Sequence, residues 1–192
     1  MSPVARAAVA MTMEEWASLS EEEPGEFVAG FLEEEEVPDL AHESVVVWLI
    51  ATLRTWLAGR GGFVFGSEAK FAVMLSRGRK PDTSVYFPGR TGLPRRGVVR
   101  VPPDIMIEVL SEGPRDARRD RVDKPDEYAT FGVRWYWLFD PVARTFETFE
   151  LGADGRYVRA LAAASGKVNA PGCDGLVLDL DDLWSEIDRL DE

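Results

Sequence analysis

Hydrophobic residues recur at helical spacing in one long stretch of the chain, residues 40–58. Their positions are Val45, Val46, Leu49, Leu53, Trp56 and Leu57. This spacing puts them on one face of a helix, where they can pack against a core. Asp39 is a residue type that caps helix N-termini, and Gly59 is one that ends helices. The pattern therefore predicts a long amphipathic helix that packs on a sheet.

Two shorter helices are predicted near the ends of the chain. Thr12 precedes a helix that begins at Met13, and Glu15 follows Thr12 by three residues, as a capping box requires. The second short helix is predicted at residues 181–187. Residues 1–13 are predicted to form a flexible leader, followed by a single domain over residues 14–192.

The remaining apolar runs are short and are separated by glycine, proline and polar residues, which is typical of β-strands. The predicted strands cover residues 26–32 (a pair with its turn near Gly30), 63–65, 69–75, 83–87, 103–110, 132–141, 145–150, 156–161 and 176–180. Residues 76–79 are predicted to form a turn, and residues 88–102 a long loop. Together with the helices, these strands predict an α/β domain with a mixed β-sheet flanked by helices.

One carboxylate interrupts the most apolar of these strands. Glu108 lies in the run Ile105–Val109, whose composition is typical of a strand covered on both faces. A carboxylate in such a strand needs a cation or several donors, because burial removes its hydration. A divalent metal or a lysine would meet that need. The same residues also allow Glu108 to lie at the strand end, in water or beside an arginine.

Charge is distributed unevenly along the chain. The formal net charge is −12, yet residues 77–124 contain 12 basic and 7 acidic residues. The acidic total argues against a protein that coats nucleic acid non-specifically. A basic middle region nevertheless suits a cleft that attracts an anionic substrate. The alternative is that these arginines only pair with neighbouring carboxylates on solvated faces.

Cysteine and histidine are too scarce for several kinds of site. Cys173 and His42 are the single cysteine and histidine, so neither an internal disulfide nor a Cys/His zinc site is expected. Any metal should therefore be bound by oxygen atoms, as Mg²⁺ and Mn²⁺ are. No apolar run approaches the length of a membrane span, and the first residues lack the apolar stretch of a secretory signal. We expect a cytoplasmic protein without a membrane partner.

Several motifs in the middle of the chain together resemble a known family. The motifs are Pro81-Asp82, the run 103–111, Asp120-Arg121-Val122-Asp123-Lys124, Tyr128, Gly132-Val133, Tyr136-Trp137 and Asp140-Pro141. This combination resembles the bacterial Uma-type family of putative restriction endonucleases, a branch of the PD-(D/E)XK nuclease superfamily. Weaker similarity extends over most of the chain. The resemblance implies a restriction-endonuclease-like core.

The same resemblance implies a set of site residues. It assigns Asp82 and Glu108 as ligands of Mg²⁺ or Mn²⁺, with the backbone carbonyl of Val109 as a further ligand. In the superfamily a lysine usually follows the glutamate by two residues, but Leu110 occupies that position here. The resemblance instead places the catalytic lysine at Lys124, on the helix that follows.

Two further features bear on this implied site. Pro125 directly follows Lys124, and inside a helix a proline removes an amide donor and clashes with the carbonyl one turn earlier. The helix must therefore begin near Asp123 or kink there, which leaves the direction of Lys124 open. Glu43 and, less favourably, Glu26 are candidates for an outer carboxylate that binds a metal through water.

Two classes of function are consistent with these residues. The first is a metal-dependent endonuclease, acting on DNA in preference to RNA, in which Lys124 orients water or neutralises charge on the phosphate. The second is a catalytically inactive nuclease-like module with a regulatory or oligomerisation role. A two-carboxylate glycosidase fits less well, because nothing resembles an aromatic sugar-binding groove. The edges of a small sheet and the six tryptophans lead us to expect a homodimer.

Overall fold

The computed structural model describes residues 10–20, 25–33, 38–111 and 118–190. Within these residues the α-helices are α1 Met13–Ser18, α2 Leu40–Leu57, α3 Lys124–Phe131 and α4 Leu180–Ile187. A π-helical turn, Arg119–Asp123, leads directly into α3. The predicted capping box of α1 is confirmed, and so is the cap of α2, where the Asp39 side chain accepts a hydrogen bond from the backbone N–H of His42.

The strands of the described residues form three sheets. They are β1 Glu26–Val28, β2 Phe31–Glu33, β3 Phe63–Gly66, β4 Phe71–Met74, β5 Arg77–Arg79, β6 Thr83–Tyr86, β7 Ile105–Val109, β8 Trp135–Asp140, β9 Thr145–Leu151, β10 Tyr157–Ala163, β11 Lys167–Asn169 and β12 Val177–Asp179. The central sheet has six strands in the order β10-β9-β8-β7-β6-β3, and a second sheet has the order β2-β1-β5-β4. Strands β11 and β12 form a separate hairpin.

The central sheet is mixed, because β7 and β8 run parallel while its other neighbouring strands are antiparallel. Parallel neighbours need a long crossover connection, and the segment that includes the π-helical turn and α3 provides it. Helices lie on both sides of the sheet. The predicted α/β fold, with a mixed sheet flanked by helices, is therefore confirmed.

Strand β7 is buried on both faces. Ile105, Ile107 and Val109 pack with the apolar face of α2 and with α4. Met106 and Leu110 point to the opposite side, where Tyr128 of α3 and residues of β4 cover them. This double cover explains why the strand is almost entirely apolar, and it places any polar side chain of β7 away from bulk water.

Two local predictions differ from the structure. Residues 76–79 were predicted to form a turn, but Arg77–Arg79 is strand β5, which pairs with β1 on one side and β4 on the other. An Arg-Gly-Arg sequence has no apolar alternation, so only these pairings show that it is extended. Strand β11 was likewise not predicted.

The predicted leader, residues 1–13, lies largely outside the described residues. Its described end contacts the domain, because the backbone N–H of Met11 donates to the carbonyl of Gly30 over 2.8 Å and Met13 is buried. Across the described ranges, no helix combines the length and the apolar character that a bilayer crossing needs.

Candidate active site

Strand register brings the two predicted carboxylates together. Thr83 of β6 pairs with Ile107 of β7 in antiparallel orientation, so the residue before Thr83 lies beside the residue after Ile107. These residues are Asp82 and Glu108. The Oδ2 atom of Asp82 accepts a hydrogen bond of 2.7 Å from the backbone N–H of Val109. Asp82 is thus held against the backbone next to Glu108.

Lys124 points into the same place. Its Nζ atom lies 2.9 Å from Oε2 of Glu108 and 2.8 Å from Oδ1 of Asp120. Pro125 is compatible with this direction because the helix before it is π-helical: the N–H of Lys124 donates to the carbonyl of Arg119, and the carbonyl of Asp120 accepts from the hydroxyl of Tyr136. The preceding turn is π-helical, and Asp120 and Lys124 lie four residues apart on the same side of it.

The carboxylate of Glu108 is enclosed, with 2% of the residue exposed. The hydroxyl of Tyr128 donates to Oε1, while Lys124 contacts Oε2. Burial raises the pKa of Glu108 well above its usual value, because Lys124 offsets only part of the lost hydration. Burial also raises the pKa of Asp120. The two carboxylates share one ammonium, so negative charge is in excess at this point.

Lys124 keeps its positive charge although it is buried. Burial opposes its charged form, but the carboxylates of Asp120, Glu108 and Glu26 outweigh that effect and raise the pKa of Lys124 well above its usual value. A compact ammonium held in this way can act on a neighbouring anion without gaining or losing a proton at neutral pH.

Glu26 of β1 lies behind Lys124 in a buried ionic layer. Its carboxylate accepts hydrogen bonds from Arg79, over 2.6 Å, and from the backbone N–H of Lys80, over 3.0 Å, and lies 3.9 Å from Nζ of Lys124. Arg79 also forms a two-point ion pair with Glu127 of α3. Burial disfavours ionised Glu26, but Lys124, Arg79 and a further arginine outweigh it and lower the pKa of Glu26.

His42 and Glu43 lie in the first turn of α2. They approach the site from the face of the sheet that α2 covers, opposite to the face that α3 covers. The Nε2 atom of His42 lies 3.3 Å from Oδ2 of Asp82. Burial disfavours the imidazolium, but Asp82 outweighs it, with help from Glu43 and Asp39, and raises the pKa of His42. The Glu43 carboxylate lies 3.8 Å from Nδ1 of His42, and its side chain is 52% exposed. Glu43 is therefore at the rim of the site.

The donor atoms suit a hard divalent cation. Among the described residues, Oδ1 of Asp82 has no hydrogen bond or ion pair, and each oxygen of Glu108 has a second lone pair. A divalent cation here would offset the excess negative charge. In the part of the chain that the structure describes, no group of three or more His, Cys, Asp or Glu side chains is arranged to hold a metal. Mg²⁺ is compatible with this, because it commonly uses one or two carboxylates and retains waters.

Sequence reasoning did not single out several members of this cluster. Asp120 lies four residues before Lys124, which is the spacing of facing side chains on a helix and could have identified it. Arg79 carried no comparable signal, because its segment was predicted to be a turn. For His42 the sequence allowed either a satisfied polar contact in the first turn of α2 or a position facing a cleft, and it did not indicate the contact with Asp82.

Comparisons with known proteins identify a family and a similar fold. The profile of the Uma2 family, described as "Putative restriction endonuclease", matches residues 12–181. A solved structure described as a putative nuclease belonging to DUF820, from Anabaena variabilis, is similar with a TM-score of 0.72. It is 20% identical, and the match covers 91% of this chain and 98% of that chain. At this identity the likeness shows a shared fold. No curated protein matches the sequence.

Proposed function

Because the chain belongs to the Uma2 family, described as putative restriction endonucleases, we propose that it is a metal-dependent endonuclease that hydrolyses nucleic-acid phosphodiester bonds, with DNA as the preferred substrate. The observation that carries this proposal is the convergence of three groups. Asp82 bonds to the backbone N–H of Val109, the residue after Glu108, and Lys124 lies 2.9 Å from Glu108. This combination of carboxylates and an ammonium suits phosphoryl chemistry.

In the proposed mechanism, Asp82, Glu108 and the carbonyl of Val109 hold Mg²⁺ or Mn²⁺. When bound, such an ion would supply Lewis-acid chemistry for polarising the scissile phosphodiester and for making the attacking water more acidic. Lys124 neutralises charge that develops on the phosphate or orients the attacking water. It can do so because it stays protonated between Glu108 and Asp120.

The surrounding residues position these groups. Tyr128 fixes one oxygen of Glu108 through a hydrogen bond, and Asp120 fixes the ammonium of Lys124. Glu43 is the better candidate for an outer carboxylate, because its side chain is exposed at the rim. Glu26 is committed to Arg79 and Lys80, so we assign it to charge balance behind Lys124.

Cleavage of supercoiled plasmid, single-stranded DNA and RNA tests the proposal directly. Wild-type protein with Mg²⁺ or Mn²⁺ should cleave DNA, and chelation should stop cleavage. Asp82→Asn and Glu108→Gln should each lower the rate by about a hundredfold or more, because each removes charge from the reacting centre. Asp154→Asn, in the exposed turn before β10, is the matched control and should cleave normally. Absence of both cleavage and metal binding in wild-type protein would contradict the proposal.

One observation favours the alternative of an inactive nuclease-like module. Glu108 is 2% exposed, and both of its oxygens are already engaged by Lys124 and Tyr128. In that case the ionic cluster would serve only to join elements of the fold. The same assay separates the alternatives, since a module would neither cleave nor bind Mg²⁺. Self-association is a further proposal, based on β10 as an edge strand of the central sheet, and sedimentation velocity tests it.

A further inference from the structure

Two phenylalanines stand exposed on an edge strand of the central sheet. Phe63 is 50% and Phe65 is 37% exposed. Their ring centroids lie 5.8 Å apart and their planes differ by only 7°, so they present parallel aromatic faces. Single exposed apolar residues are common on protein surfaces, but an aligned aromatic pair is less so. The stacked pair forms an exposed apolar surface, which we call the aromatic platform.

The aromatic platform lies on the same side of the sheet as the candidate active site. Phe65 pairs across the strands with Ser84, which follows Asp82 by two residues. Side chains two residues apart in a strand point to the same face. The ring of Phe65 also contacts the ring of Tyr86, with centroids 6.0 Å apart, on this face.

A basic groove borders the platform. Its volume is about 390 Å³, and its lining includes Phe65 and the charged residues Glu68, Lys70, Lys80, Arg95 and Arg96. Lys80 contacts Glu68, and Lys70 donates to backbone carbonyls. Arg95 and Arg96 are exposed, and the described residues give neither of them a carboxylate partner. The groove thus offers two guanidinium groups beside an aromatic face.

From these features we propose that Phe63 and Phe65 bind unpaired bases of a nucleic-acid strand, while Arg95 and Arg96 contact its phosphates. This inference rests on the proposed function, and it specifies the substrate as a single strand or a strand with unpaired bases beside the scissile bond. Aromatic side chains stack on bases whose faces are open, as they are in single strands. In a duplex both faces of each internal base are covered by neighbouring bases, so the platform would find no partner there.

Charge and position together favour this occupant over a protein partner. An apolar protein partner would contact only the two rings. A nucleic-acid strand would contact the rings through its bases and the adjacent arginines through its phosphates. The groove that borders the platform extends to Lys80, two residues before Asp82. A second copy of this chain on the β3 edge is the competing occupant, and the experiment below detects it.

The test is binding in the absence of metal, so that cleavage plays no part. Fluorescence anisotropy would compare a labelled oligothymidylate with a duplex of the same length. We expect Phe63→Leu together with Phe65→Leu to weaken single-strand binding about tenfold and duplex binding less than about twofold, because leucine removes only the aromatic face. Arg95→Gln with Arg96→Gln should weaken binding to both and lower the salt dependence.

Phe31→Leu is the matched control, since Phe31 is similarly exposed on β2 of the second sheet, and it should bind normally. Unchanged single-strand binding by the Phe63/Phe65 variant would overturn the inference, as would an equal loss for single strand and duplex. A change in its sedimentation coefficient relative to wild type would instead identify the platform as a self-association surface and also overturn it. If wild-type protein binds through the platform but cleaves nothing, the proposed function fails while this inference stands.

Discussion

At the scale of single residues, the contact between Lys124 and Glu108 is a buried ion pair. Both side chains are almost completely withdrawn from water, and Asp120 shares the same ammonium. Burying ions is costly, so such a pair adds little net stability compared with apolar residues. Removing one partner, however, leaves the other as an uncompensated buried charge.

Lys124→Met should therefore destabilise the protein by about 3–5 kcal/mol in urea unfolding. Adding Glu108→Gln and Asp120→Asn to the same protein should recover part of that loss, because neutral amides need no cation. Lys167→Met is the control. Its ion pair with Asp179 is largely exposed, and its loss should cost less than about 1 kcal/mol. A Lys124→Met protein as stable as wild type would contradict the buried ion pair.

The titration of His42 reports on its contact with Asp82, and its signal is easily assigned because His42 is the single histidine of the chain. Burial disfavours its imidazolium, but Asp82 raises the pKa of His42 above the ordinary value of about 6.5. In Asp82→Asn the burial remains and the attraction is lost, so the pKa should fall below that of wild type. Proton NMR of the imidazole ring during a pH titration measures the change.

The same shift has a consequence for stability. Since the folded-state pKa of His42 is raised, its contribution is fully present below about pH 6.5 and is lost as pH rises through the folded-state pKa. Asp82→Asn should remove this pH dependence from the free energy of unfolding. An unaltered His42 titration in Asp82→Asn would show that the two side chains do not interact.

At the scale of elements, α1 packs on the second sheet through Met13 and Trp16, and its closest approach is at Gly78. The ring of fully buried Trp16 lies against Gly78 of β5, and a Cβ at position 78 would come within 2.4 Å of that ring. Gly78 has no positive φ, so the need for glycine here is space and not backbone conformation. Because Gly78 has no side chain, Trp16 of α1 can pack directly on strand β5, whose other two residues are arginines.

Gly78→Ala should destabilise the protein by about 1–3 kcal/mol, because the added methyl overpacks the contact with Trp16. Gly66→Ala is the matched control on β3. Its Cβ would meet only Ile50 at 3.5 Å, an ordinary contact, so the change should stay within about 0.5 kcal/mol. Chemical unfolding of both variants measures the difference. Equal effects of the two substitutions would exclude steric overlap as the cause.

At the scale of the whole molecule, ionic contacts connect the two sheets at the candidate site. Arg79 of β5 binds both Glu26 of β1 and Glu127 of α3, and Glu26 approaches Lys124. The second sheet thus contributes charges behind Lys124 of α3, which contacts Glu108 of the central sheet. A divalent cation bound by Asp82 and Glu108 would add positive charge beside the buried carboxylates of Glu108 and Asp120, which would link metal binding to global stability.

Mg²⁺ or Mn²⁺ should consequently raise the melting temperature. At about one hundred times the dissociation constant the gain is about 2.7 kcal/mol, or roughly 5–10 °C for a chain of this size. Glu108→Gln should abolish the shift, whereas Asp154→Asn should retain it. Differential scanning calorimetry, with and without the ion, measures both. A wild-type melting temperature that does not respond to either ion would contradict a metal site formed by these carboxylates.

The sequence by itself determined most of the local structure. Periodicity identified α2, the Thr12 and Asp39 caps are visible as residue types, and the apolar composition around Glu108 indicated a strand covered on both faces. These features are local, since they depend on neighbours within a turn or along one strand. The resemblance carried by Pro81-Asp82 and the segment 120–124 led to the family that the profile match shows.

Only the tertiary structure decided what surrounds the site. Strand β5 is extended because β1 and β4 pair with it, and its Arg79 reaches Glu26 and Glu127 only through that pairing. The direction of Lys124, left open by Pro125, follows from the π-helical turn before α3. The contact of His42 with Asp82 joins a helix to a distant strand. Such contacts depend on strand register and helix packing, which bring together residues far apart in the chain and leave no local pattern in the sequence.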